Sequence, residues 1–194
     1  MKLNIYKISH PIIKLLKNIE LNNEQNMSIY ENNYKYIGLF LIYEVFRKYI
    51  KTKQVYIKNI KKTDKLYLVT PKIKYYILTD LSITYSMILD IQMILPNIKI
   101  IHNNHLVKNK INIKDKIHLN KKNDDNIKFF LLEKTINNDK ILKSIKYLNE
   151  EINISLDHIN IITINCNHEI INKIGNIYPT LRIYTTQIIY NYNR

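Results

Sequence analysis

Residues 127–148 group an acid, a short polar stretch and an amphipathic helix in the order that can hold a phosphate. Phe129, Phe130, Leu131 and Leu132 run into Glu133. Glu133, Thr135, Asn137, Asn138, Asp139 and Lys140 then offer carboxylate, hydroxyl, amide and ammonium groups, and Ile141, Leu142, Ile145 and Leu148 recur at helical spacing. Open α/β sheets bind ligands at the carboxyl ends of their strands, and the free N–H groups that open a helix favour anions there. The polar stretch 133–140 contains no glycine, so every N–H that would converge on a phosphate does so beside a Cβ.

Other reactive side chains read more plainly. Ser82, Thr84 and Ser86 follow Asp80, and Ser82 suits the N-cap of a helix. Asp80 and Asp90 are too far apart to be an evident acid/base pair, and capping or solvated roles fit them. His102 and His105, with His118 beyond, have no nearby carboxylate at ligand spacing, so no metal site is assigned. His158 and His168 flank a strand and are expected at its exposed ends. Cys166 is the single cysteine, which excludes an internal disulfide and any cysteine-based zinc site. It closes an apolar run and reads as a buried, inert thiol.

Positioning these groups requires alternating strands and helices. Residues 9–20 carry Ile12, Ile13, Leu15, Leu16 and Ile19 at near-helical spacing, after an extended approach imposed by His10-Pro11. Residues 22–33 are polar, a loop or a helix start. Residues 34–49 form a helix that buries Ile37, Leu41 and Val45 and places Arg47 and Lys48 where cations suit the dipole. A strand at 54–59 and a buried strand at 75–79 follow. Ser82 then caps a helix bearing Met87, Ile88, Ile91, Ile94 and Leu95, closed by Pro96. Strands are expected at 98–102, 159–164 and 181–188. Residues 107–119 read as a charged hairpin and 121–126 as a polar turn. Asn167 caps a helix carrying Ile170, Ile171 and Ile174, with Gly175 as a left-handed C-cap. The pattern predicts a doubly wound, mostly parallel sheet of four or five core strands flanked by helices, in a single domain spanning the chain.

Composition bounds the rest. A chain of 194 residues, 46% apolar and 24% charged, has the profile of a soluble globular protein. Its longest apolar stretch, 36–46, is broken by Glu44 and falls short of a membrane span. Ile, Asn, Lys and Tyr crowd the sequence while alanine and tryptophan are absent. This is the codon bias of an AT-rich genome, and organelle encoding, in a plastid, is the localisation it suggests. The net charge of +14 would ordinarily point to nucleic acid, but lysine codons in such a genome supply charge without selection for binding. An even spread of lysines favours codon bias; lysines focused on one face favour binding. Residues 108–128 interleave lysine with aliphatic residues but few aromatics, and read as a solvated hairpin rather than a nucleic-acid arm.

The order of motifs resembles the uracil phosphoribosyltransferases, type I phosphoribosyltransferases that make UMP and diphosphate from uracil and phosphoribosyl pyrophosphate. The family's H-P-L-I is matched by His10-Pro11-Ile12-Ile13, and L-x-Y-E-A-T-R by Leu41-Ile42-Tyr43-Glu44-Val45-Phe46-Arg47. E-L-I-P-S-A-R-V is matched by Met93-Ile94-Leu95-Pro96-Asn97-Ile98-Lys99-Ile100. V-I-L-L-D-P-M-L-A-T-G-G-S resembles the stretch from Phe129, with one residue deleted. P-x-V-E-I-Y-T-A-A-I is echoed from Pro179 to Ile188. The resemblance covers residues 9–188 and implies a phosphoribosyltransferase-like fold.

The departures fall on the catalytic parts. The family's pyrophosphate loop P-I-L-R-A-G-L-G reads Thr79-Asp80-Leu81-Ser82-Ile83-Thr84-Tyr85-Ser86 here, so Ser82, Thr84 and Ser86 are its vestige. The family's T-G-G reads Asn137-Asn138-Asp139, so the resemblance makes 133–140 a vestigial phosphate and ribose loop, with Glu133 either the successor to the family acid or a solvated strand-end acid. Asparagine tolerates left-handed backbone, which would keep the loop's shape, while Asp139 would oppose a dianionic phosphate. The uracil-recognising tail P-G-L-G-D-A-G-D-R has no counterpart in the final residues.

The expectation is a divergent homologue with little or no activity. Two alternatives are an active phosphoribosyltransferase using atypical groups, and a non-enzymatic basic module binding RNA or a protein. Mg²⁺ is implied only alongside phosphoribosyl pyrophosphate in an active enzyme. Phosphoribosyl pyrophosphate or a nucleotide, non-specific nucleic acid and a second copy in a homodimer are the partners left open; a membrane is not.

Overall fold

The computed structural model describes residues 3–22, 27–103 and 126–190 of the chain. In order these form β1 (Asn4–Lys7), α1 (Pro11–Asn22), α2 (Met27–Tyr49), β2 (Thr52–Lys58), β3 (Thr63–Val69) and β4 (Lys74–Thr79). Then come α3 (Leu81–Ile94), β5 (Lys99–His102), β6 (Ile127–Ile136), α4 (Lys140–Lys146), a π-helical turn (Tyr147–Glu151) and a 3-10 turn (Leu156–His158). β7 (Ile159–Asn167), α5 (His168–Ile177) and β8 (Arg182–Ile189) complete them.

β-Branched and aromatic runs make the strands, and six of these join in one parallel sheet of order β1-β8-β7-β6-β4-β5. β6 is central, and Phe129, Phe130, Leu131 and Leu132 are all at most 1% exposed. Such a continuous apolar run suits a strand covered on both faces. Alternation sends its side chains to opposite layers. Phe130 and Leu132 meet α1, α2 and α3 together with Tyr75, Ile77, Ile162 and Tyr184. Phe129 and Leu131 meet α4 and α5 together with Tyr76, Leu78, Ile161 and Ile183. The architecture is thus α/β and doubly wound. The direction in which successive strands are added reverses across the sheet: β4 passes through α3 to β5 on one side, while β6, β7 and β8 follow through α4 and α5 on the other. The switch point lies between β4 and β6.

Several local features differ from the sequence expectation. The sheet has six strands because β1, too polar to signal itself, joins the edge in register with β8 (Ile5 opposite Ile183). Helix α2 begins at Met27, so the polar stretch before residue 34 is largely helix. Gly175 is not a C-cap: α5 continues to Ile177, and no glycine among the described residues has positive φ. Asp80, not Ser82, caps α3, since its carboxylate reaches two residues on to accept from the Ser82 N–H. His158 and His168 do flank β7, but both are half-buried rather than exposed. The hairpin expected at 107–119 lies outside the described residues. Cys166 is fully buried, and burial pushes its thiol up to about 12.

Asn167 caps α5 as expected, its Oδ1 accepting from the Glu169 N–H at 2.8 Å. Asn167→Ala should therefore cost about 1 kcal/mol, read as a lower urea midpoint at unchanged slope.

Candidate functional site

The carboxyl ends of β4 and β6 part at the switch point, and the space between them is a crevice of about 790 Å³. Asp80 and Ile83 close one side, Asn103 follows β5, and Glu133 to Asn138 form the floor and lip from β6. Lys140, Ile141, Lys143, Ser144 and Tyr147 face in from α4 and the turn beyond it. Lys140, Ser144 and Tyr147 stand at i, i+4 and i+7, one face of a helix.

Hydrogen bonds between elements fix the walls. The Thr79 hydroxyl donates to the Leu132 carbonyl at 2.6 Å and shares a 2.7 Å bond with the Thr84 hydroxyl. This ties the end of β4 and the middle of β6 to the first turn of α3. Across the crevice the Asn103 N–H donates to the Thr79 carbonyl at 2.8 Å, and its side-chain amide donates to Ser144 Oγ at 3.1 Å.

Glu133 is the electrostatic centre. It is half-buried on the α4 side of the sheet, and its acid is pushed up to about 7. Desolvation is the main cause, the neighbouring Asp80 carboxylate adds to it, and Lys140 opposes both. The strand continues past Glu133 to Ile136 because β7 runs on beside it, with Thr135 opposite Asn165 and Ile136 opposite Cys166. The loop expected from 133 to 140 is therefore only Asn137, Asn138 and Asp139.

The structure separates the expected site residues. Glu133, Thr135, Asn137, Asn138 and Lys140 line the crevice. Asp139 does not: its carboxylate is bonded to Lys173 Nζ at 3.1 and 3.3 Å. Nor is the loop held by left-handed asparagine, because Asn153 is the one non-glycine residue with positive φ among those described. Asn138 Oδ1 instead accepts from the Lys140 N–H at 3.0 Å.

The second expected loop is not a loop at all. Ser82, Thr84 and Ser86 lie in the first two turns of α3, with Ser82 exposed, Thr84 buried and Ser86 half-buried. Asp80 Oδ1 accepts from the Ser82 N–H at 3.1 Å and from its hydroxyl at 2.6 Å. His102 Nδ1 accepts from the Leu81 N–H at 3.0 Å. The same Nδ1 lies 4.0 Å from Asp80 Oδ1. The amide groups that open α3 already have acceptors. His105 and His118 lie outside the described residues, and among the described residues no three of His, Cys, Asp and Glu gather as a metal would need.

Asp80 belongs to the crevice, as do Asn103, Lys143, Ser144 and Tyr147, none of which their spacing had marked as site residues. The available signal was that two apolar runs, 75–79 and 129–132, lead directly into acids; neighbouring strands at a switch point bring those acids together. Glu133 can exchange a proton near neutral pH and bond to hydroxyl or amine groups. When both acids are ionised they repel an anion.

No protein-family profile matches the chain, and no curated protein does. Among solved structures the chain is similar to the AQ2163 protein from Aquifex aeolicus, at 13% identity over 97% of this chain and 89% of that one, with a TM-score of 0.68. At that identity the likeness establishes a shared fold, which agrees with the doubly wound sheet.

Proposed function

We propose that the protein is a divergent relative of the uracil phosphoribosyltransferases that keeps a ligand crevice at the switch point and has lost most or all phosphoribosyl transfer. The observation that carries this reading is the seat of Asp80: its carboxylate takes up the Ser82 N–H and the Ser82 hydroxyl, in the stretch that resembles the family's pyrophosphate loop. Transfer requires the pyrophosphate held near the anomeric carbon and the 5′-phosphate anchored at the loop after β6. Such positional and electrostatic terms each supply several kcal/mol, so weakening two removes most of the rate enhancement. The first is opposed by Asp80, and the second by a loop without glycine. Any Mg²⁺ would arrive with phosphoribosyl pyrophosphate.

The test is calorimetry with phosphoribosyl pyrophosphate and Mg²⁺, paired with an assay for UMP formation from uracil. No UMP is expected. Replacing Asn137-Asn138-Asp139 with Thr-Gly-Gly should recover measurable affinity for ribose 5-phosphate but no synthesis, because Asp80 remains in place. UMP made by the unmodified protein would overturn the reading, and so would full synthesis from the loop replacement alone.

A further inference from the structure

Among the described residues, β2 and β3 pair with each other and with no other strand. Their register (Gln54 opposite Tyr67, Tyr56 opposite Lys65, Lys58 opposite Thr63) sorts the side chains onto two faces. One face carries Gln54, Tyr56, Lys58, Lys65 and Tyr67; the other carries Val55, Ile57, Leu66 and Leu68. No residue from 51 to 70 is buried, and Tyr56 and Tyr67 are 60% and 67% exposed. Two exposed tyrosines interleaved with lysines on one face is an arrangement the sheet's own packing does not require.

Charge is focused in the same place. Residues 51–74 hold eight lysines against one aspartate, so 24 residues carry half of the chain's net +14. All eight lysines are exposed, and among the described residues only Lys62 meets a carboxylate, Asp64 at 3.1 Å. Codon bias raises lysine everywhere; it does not by itself set eight lysines against one aspartate in 24 consecutive residues, five of them on the hairpin beside aromatic rings.

We propose that the tyrosine face of the β2–β3 hairpin binds single-stranded nucleic acid, with bases on Tyr56 and Tyr67 and phosphates on Lys58, Lys61, Lys62 and Lys65. Aromatic rings stack on any base while a basic surface tracks the backbone, so the contact is tolerant of sequence. The surface lies apart from the crevice: the hairpin leads into β4 at its amino end, whereas the crevice is at the carboxyl end beyond Thr79. Occupancy of one is independent of occupancy of the other.

The experiment is fluorescence anisotropy of a labelled oligouridine of about ten nucleotides, inside the span of known single-strand sites, titrated with the whole chain from about 50 to 200 mM salt. Tyr56→Ala with Tyr67→Ala should weaken binding at least tenfold at unchanged salt slope, and Tyr56→Phe with Tyr67→Phe should restore it. Changing Lys58, Lys61, Lys62 and Lys65 to Gln should flatten the log–log salt slope by about 0.7 per lysine that contacts phosphate. A control set, Lys7, Lys14, Lys99 and Lys146 to Gln, should leave both affinity and slope nearly unchanged.

The proposal is overturned if no binding is seen at the lowest salt, or if the control set loses as much as the hairpin set. It is equally overturned if the alanine pair only dissolves a dimer seen in sedimentation without changing affinity for the oligonucleotide. The calorimetry at the crevice is read separately and decides nothing here.

Discussion

Glu133→Gln is expected to stabilise the protein at pH 8 by about 1–3 kcal/mol and to leave it nearly unchanged below pH 4.5. The folded state holds the Glu133 proton up to about pH 7, against an ordinary value of 4.5 in the unfolded chain. A raised carboxyl pKa means that the folded state binds the proton more tightly. The associated stability is therefore complete below 4.5 and is lost as pH rises through 7. The separation of the two values corresponds to at most about 3 kcal/mol. Glutamine keeps the shape and polarity without the charge, so the variant's stability should be flatter across this window. Urea unfolding of both proteins at pH 4.5, 6 and 8 measures it. Parallel curves would show that Glu133 is better solvated than its seat between β4, β6 and α4 implies.

The two glycines of the chain should respond to alanine in opposite directions. At Gly38, α2 crosses α3 so closely that an added Cβ would stand 2.5 Å from Met87 Cβ and 2.8 Å from Met87 Cα. Those are fixed atoms near the backbone, so the helices must separate. Overpacking of this kind costs about 1–3 kcal/mol, more than the ~1 kcal/mol that alanine returns in helix propensity. Gly38→Ala is expected to lower stability by up to about 2 kcal/mol. At Gly175, inside α5, the nearest atom to an added Cβ is Leu3 Cβ at 3.4 Å, an ordinary contact. There the propensity gain of up to ~1 kcal/mol should appear undiminished. Thermal unfolding of both variants settles the comparison, and a stabilised Gly38→Ala would mean that α2 and α3 slide apart at no cost.

Elements that bury a long apolar pattern were legible in the sequence. The run Phe129 to Leu132, the strand that ends at Thr79 and the cap at Asn167 all stand where their residues placed them. What sequence left obscure depends on partners distant in the chain. β1 is four exposed residues, and only β8 makes it a strand. Glu133 lies inside a strand because β7 extends beside it. Asp139 is disarmed as a repulsive charge by Lys173, 34 positions away. Gly175 carried a strong local signal for a helix end, but α5 runs on to Ile177. The crevice was half legible: the β6 side followed from one stretch, while Asp80, Asn103 and Ser144 are assembled by topology.

The seat of Asp80 has a kinetic meaning as well as a structural one. A carboxylate joined covalently to the helix it caps is a tethered competitor, whose effective concentration is set by the tether and does not fall on dilution. A phosphate arriving at α3 would have to displace the Ser82 bonds before making its own, and its apparent affinity falls by the fraction of time the carboxylate lets go. Glycines placed in the loop after β6 would leave that competitor in place, so a phosphate binding at α3 would still have to displace Asp80 first.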